Sequence, residues 1–185
     1  MDECWFSRFA QPQLHSWTAS GQPLRLVQRQ ADNDDPQPKA LACYGGLRAD
    51  TGQVILHSAT GQPNSRQTWF FLKGLLLIAQ REGKRVLVVI WDNATWHKSK
   101  FIRSRIHAYN RDAKRSAQPR LLTFRLPIQS PWLNPIEAHW LHAKRAVCEP
   151  DNHLSASLLQ RRIHRYFDAP PFLWHAFKTG APTLH

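Results

Sequence analysis

Apolar and polar positions alternate over the first sixty residues, and longer periodic or continuous apolar runs follow. Residues 4–9 (C-W-F-S-R-F) and 14–19 (L-H-S-W-T-A) predict short strands, and S-G-Q-P at 20–23 predicts a turn into L-R-L-V. A-D-N-D-D-P-Q-P over 31–38 predicts a loop. Residues 40–47 (A-L-A-C-Y-G-G-L) and 53–59 (Q-V-I-L-H-S-A) predict a strand pair joined by R-A-D-T-G. Asn64 or Ser65 can cap a helix that runs to about Arg81 and is closed by Gly83. V-L-V-V-I-W at 86–91 is nearly continuously apolar, the pattern of a central strand buried on both faces. A basic helix over 98–115, a strand over 121–126, a helix over 135–147 and an amphipathic helix over 155–167 complete the chain. An antiparallel meander followed by alternating helices and strands predicts an α/β domain with a mixed five-stranded sheet flanked by helices. Residues 1–150 form the domain proper, with 151–185 as a helix and tail packed on it.

Composition sharpens this picture. The 185 residues suffice for one hydrophobic core, and 42% hydrophobic content is globular rather than disordered. The net charge of +12 is one-sided: up to Gln80 there are 7 basic and 6 acidic residues, and beyond it 18 and 7. An excess of that kind suits a polyanionic partner, because each neutralised phosphate releases counterions. Cys4, Cys43 and Cys148 are odd in number and lack C-x-x-C spacing, which argues against a disulfide framework or a zinc site and suits a reducing cytoplasm. Asp2 and Glu3 follow Met1 directly, unlike a secretory signal. The longest apolar run, Trp69 to Ala79, contains Lys73 and is too short to span a bilayer. These features predict a cytoplasmic, nucleoid-associated protein with no membrane segment.

Two segments carry candidate chemistry. In W-D-N-A-T-W-H (91–97), Asp92 stands at the carboxyl end of a predicted buried strand, the edge at which α/β sheets bind ligands. Its carboxylate suits a hard divalent cation, and it suits equally a cap on the following turn. In S-P-W-L-N-P-I-E (130–137), Asn134 fits an N-cap, Pro135 the first helical position and Glu137 the third. Glu137 is thus either the return arm of a capping box or a carboxylate aimed at Asp92. Asp2 and Glu3 alone read as a solvated chain end.

Taken together, D-E-x-x-F, D-N-A-x-x-H and L-P-x-x-S-P-x-L-N-P-I-E-x-x-W resemble the DDE endonuclease domain of bacterial insertion-sequence transposases in the mariner superfamily. C-Y-G-G-L-R-A-D-T-G-Q-V at 43–54 resembles its second-strand region, and the likeness runs from Asp2 to about Val147. It implies a ribonuclease H-like fold, whose element order matches the predicted one. It also implies an acidic triad of Asp2, Asp92 and Glu137 holding two Mg²⁺ or Mn²⁺ ions, with Asp2 bridging both. Asn93, His97, Asn134 and Trp140 match further motif positions. Lys98, Lys100, Arg103, Arg105, Lys144 and Arg145 lie close in sequence to the acids and can grip a phosphate backbone.

The implied function is DNA strand cleavage and transfer during transposition, with DNA as partner and a homodimer left open. A DNA-binding remnant without catalysis and another nuclease of the same fold are the alternatives. Two features depart from the pattern. The interval from Asp92 to Glu137 is long, with the surplus placed around Ala108 to Arg120. No helix-turn-helix module precedes Asp2, so the expectation is an amino-terminally truncated frame or recognition by a separate polypeptide.

Overall fold

Alternation of buried and exposed positions organises the first sheet. The computed structural model describes residues 1–8, 16–17, 23–24, 34–128, 130–147 and 154–170. Strand β1 (Asp2–Ser7) buries Asp2, Cys4 and Phe6 on one face. Strands β2 (Ser16–Trp17) and β3 (Pro23–Leu24) form a short antiparallel ladder. The rest of the predicted strand at 14–19 and the start of the loop at 31–38 lie outside the described residues. Strand β4 (Ala40–Leu47) pairs antiparallel with β1 on one side and with β5 (Val54–Thr60) on the other. The predicted meander is therefore present, with Asp2 directly opposite Gly45.

Helix α1 (Ser65–Arg81) starts where Asn64 accepts hydrogen bonds from the Arg66 and Gln67 amides. It ends at Gly83, whose φ of 68° suits a residue without Cβ. Strand β6 (Val86–Trp91), helix α2 (Lys100–Ala113, capped by Ser99) and strand β7 (Arg120–Arg125) follow, and β6 and β7 pair in parallel. Residues Ala108 to Arg120, to which the surplus of the long interval is assigned, form the last turns of α2, the turn beyond it and the start of β7. Asn110 secures that turn, donating to the Leu121 carbonyl at 2.7 Å and accepting from the Leu121 amide at 2.8 Å. Helices α3 (Ile136–Val147) and α4 (Ala156–Tyr166) complete the described chain, and residues 171–185 of the predicted tail lie outside it.

Two apolar layers hold these elements. On one face of the first sheet, Cys4, Phe6, Leu41, Cys43 and Leu56 pack against Ile136, Trp140, Ala143, Leu159 and Ile163 from α3 and α4. On the opposite side, α1 covers Ala42 and Tyr44 with Phe71 and Leu75, and Leu72 and Leu76 reach Val89, Trp91, Ile102 and Leu121. Each fully buried Leu, Ile or Phe contributes about 1.5–3 kcal/mol of transfer free energy.

Strand β6 corrects one expectation. It is buried on one face only: Val89 and Trp91 lie under the helices, whereas Val86, Val88 and Ile90 are exposed beside Leu122 and Phe124 of β7. Strand alternation imposes the split, since α1 and α2 cover a single face of the β6–β7 pair and α3 and α4 lie over β1, β4 and β5. The two strand groups meet at the chain start, where the Met1 amino group donates to the Ile90 carbonyl at 2.8 Å. Among the described residues, no helix is long and apolar enough to cross a membrane.

Candidate active site

The carboxyl end of β6 opens a cleft of about 370 Å³ lined by Asp92, Asn93, Leu126, Ile128, Asn134 and Glu137, among others. Asp92 follows the strand directly and Glu137 stands on the first turn of α3, so elements far apart in sequence bring both acids to one cleft. Glu137 is exposed, and its amide donates to the Asn134 carbonyl at 3.1 Å. The reciprocal side-chain bond of a capping box is absent among the described residues, which leaves the Glu137 carboxylate to the cleft. Asn134 is buried, and its Nδ2 has no hydrogen-bond partner among the described residues. Asn93 has a structural bond: its Nδ2 donates to the Leu126 carbonyl at 2.7 Å and joins the ends of β6 and β7.

Asp2 is buried and receives a hydrogen bond from Trp140 Nε1 at 3.1 Å. Burial pushes its carboxyl up to about 7, and the negative charges of Glu137, Glu3 and Asp92 add to the effect. Asp92 moves the other way. His97 beside it holds its carboxyl below the usual carboxylate range, helped by the Ala94 amide, which donates to Oδ1 at 3.0 Å. The two acids therefore carry unequal proton affinities set by their surroundings.

His97 is buried between two carboxylates. Its Nε2 donates to Glu3 Oε1 at 3.0 Å, and its Nδ1 lies 2.8 Å from Asp92 Oδ1. The Nδ1–H is not aimed along a hydrogen-bond line to that oxygen, so the contact with Asp92 is an ion pair. Burial alone would lower the imidazole, but the Asp92 and Glu3 carboxylates outweigh it and raise it to about 9. The ring stacks on Trp91 with centroids 4.5 Å apart and planes inclined by 10°.

Glu3 and Trp96 are the members of this constellation that sequence reasoning did not single out. A D-E pair on a strand sends its two side chains to opposite faces. That alternation was the available signal that Glu3 serves a different partner from Asp2.

Among the described residues, no group of three or more His, Cys, Asp and Glu side chains is close enough to hold a metal ion as it stands. The donor set nonetheless fits a hard divalent cation. Asp92 and Glu137 supply carboxylate oxygens to one cleft, and Asp2 senses the charge of both. Lys98, Lys100, Arg103, Arg105, Lys144 and Arg145 are all exposed. Lys98 lies in the turn before α2, and Lys144 lines a neighbouring cavity with Glu3, Glu137 and Trp140.

The described fold is similar to two solved structures: the Mos1 transposase paired-end complex with left transposon end and the Mos1 strand transfer complex. The first has a TM-score of 0.61 at 18% identity over 92% of this chain and 47% of the other. The second has a TM-score of 0.59 at 18% identity over 96% and 49%. The chain thus spans about half the length of those proteins, and the likeness shows the ribonuclease H-like fold, five strands with flanking helices. No curated protein matches the chain. Residues 1–160 match the DDE superfamily endonuclease family, which covers more than half of the sequence and nearly all the described elements, and the chain belongs to that family.

Proposed function

We propose that this chain is the catalytic domain of an insertion-sequence transposase, cutting and joining DNA strands at a site built from Asp2, Asp92 and Glu137. The observation that carries this reading is the meeting of Asp92 and Glu137 in one cleft, with the buried Asp2 carboxyl sensing the charge of both. Two Mg²⁺ or Mn²⁺ ions, when bound, would activate the attacking oxygen and stabilise the leaving one. Asp2, Asp92 and Glu137 are the residues that would hold them.

The remaining work falls to the chain's own groups. Asp92 is kept ionised by His97 and so presents a charged oxygen at neutral pH. Lys98, Lys100, Arg103 and Arg105 on and before α2, with Lys144 and Arg145 on α3, suit the flanking phosphates as exposed cations. The substrate would be element-end and target DNA, in keeping with the transposon end in the similar Mos1 complex.

The test is strand nicking of supercoiled DNA with Mg²⁺ or Mn²⁺. Cation-dependent nicking by the parent chain, lost in Asp92→Ala and in Glu137→Ala, is the expected result. Nicking that survives both substitutions would sink the proposal. One observation favours a second reading, a DNA-binding domain without catalysis: among the described residues, no three His, Cys, Asp or Glu side chains close on a metal site as they stand. That reading predicts DNA binding without nicking under any divalent cation.

A further inference from the structure

We infer that Glu3, an acid outside the triad, is a positioning residue that sets the orientation of Asp92 through His97 and Trp96. The inference rests on the proposed function, in which Asp92 is a metal ligand.

Glu3 neighbours Asp2 in sequence but faces the other side of β1. Its side chain is 2% exposed, and both oxygens are engaged: Oε1 accepts from His97 Nε2 and Oε2 accepts from Trp96 Nε1, each at 3.0 Å. Glu3 is not among the residues lining the cleft of Asp92 and Asn134, and it borders the neighbouring cavity instead. Its two oxygens are spent on the Trp96 and His97 donors. Both donors belong to the turn that leaves Asp92, and they lie 93 and 94 positions from Glu3 in sequence. The carboxylate clamps that turn to the first strand.

The clamp reaches Asp92 by a defined route. Stacking on Trp91 and an edge-on contact with Trp96, with centroids 6.0 Å apart, leave the His97 ring one plane. The bond to Glu3 fixes its rotation within that plane and brings Nδ1 to 2.8 Å from Asp92 Oδ1. The Ala94 amide holds the same oxygen. Asp92 Oδ2 has no protein partner among the described residues, so anchoring Oδ1 leaves Oδ2 for the cleft. An outer carboxylate–imidazole pair that orients a ligating group is a general device of metal sites.

Glu3→Gln is the discriminating change, because an amide offers one acceptor oxygen where two donors need one each. Mn²⁺ binding to the full chain is measured by calorimetry for the parent, Glu3→Gln and Asp92→Asn, after thermal melting shows each to be folded. The expected result is affinity weaker by about 10–100-fold in Glu3→Gln and abolished in Asp92→Asn. Affinity within twofold of the parent in Glu3→Gln, with binding abolished in Asp92→Asn, overturns the positioning role and leaves the proposed function standing. Undiminished Mn²⁺ binding in Asp92→Asn overturns the proposed function and this role with it.

Should Glu3→Gln fail to fold, the parent chain decides. Mg²⁺ titration should shift the ring ¹⁵N resonances of His97 with the affinity seen by calorimetry. Resonances that stay fixed through saturation overturn the inference.

Discussion

Trp140 Nε1 donates to Asp2 Oδ2 at 3.1 Å, joining residues 138 positions apart, and the indole reaches that oxygen by lying across Gly45. Gly45 is the register partner of Asp2 on β4. A Cβ at Gly45 would fall 2.4 Å from Trp140 Cζ2 and 2.8 Å from Ile136 Cδ1, so a side chain there displaces the indole. Position 45 is thus held to glycine by close approach.

The first prediction follows from that contact. Gly45→Ala should destabilise the chain by about 1–3 kcal/mol through overpacking. In a Trp140→Phe background, which lacks the Cζ2 and Cη2 atoms a Cβ would strike, the same change should cost less. Urea unfolding of the four proteins of this cycle measures the coupling, expected to exceed about 0.5 kcal/mol. Additive costs would contradict the contact.

The second prediction separates the two faces of β6. Val88→Thr should shift stability by no more than about 0.5 kcal/mol, because Val88 is 52% exposed. Val89→Thr places a hydroxyl among Leu72, Leu76 and Ile102 and should cost about 1–3 kcal/mol. Equal costs in thermal unfolding would show that both faces are covered.

Much of this architecture is legible along the chain. The strand at 40–47, the apolar strand at 86–91 and the Asn64 cap are local events, decided by neighbouring residues. Asp92, Glu137 and the basic residues on α2 and α3 are legible as motifs for the same reason. What is not legible depends on distant partners. V-L-V-V-I-W records six apolar side chains but not whether helices cover one face of them or two. D-E at the chain start has the look of a solvated end until Trp140 takes one acid and His97 with Trp96 the other. The capping-box spacing of Asn134 and Glu137 is present, yet the Glu137 carboxylate does not return to the cap.

The third prediction concerns pH. His57 and His164 are both lowered from 6.5, in each case chiefly by burial. His57 meets Gln67 Oε1 at 3.3 Å, and His164 meets Ser58 Oγ at 3.2 Å and the Ala169 carbonyl at 3.0 Å. The unfolded chain protonates these groups first, so their contribution to stability is present above 6.5 and is lost as pH falls below it. From pH 8 to pH 5 the urea midpoint of the parent should fall relative to that of His57→Gln, because Asp2 and His97, raised to about 7 and about 9, act in the opposite direction in both proteins alike. Parallel curves would show that His57 does not protonate on unfolding.

The central claim is that Asp2, Asp92 and Glu137 work as one site, and nicking rates of single and paired variants test it most directly. With Mn²⁺ and supercoiled DNA, Asp2→Asn, Asp92→Asn and Glu137→Gln should each lose at least about 100-fold in rate. The paired variants should lose little more than the singles, because groups that act as a unit are non-additive. Asp2→Asn cutting at the parent rate, or losses that simply multiply in the pairs, would contradict the account.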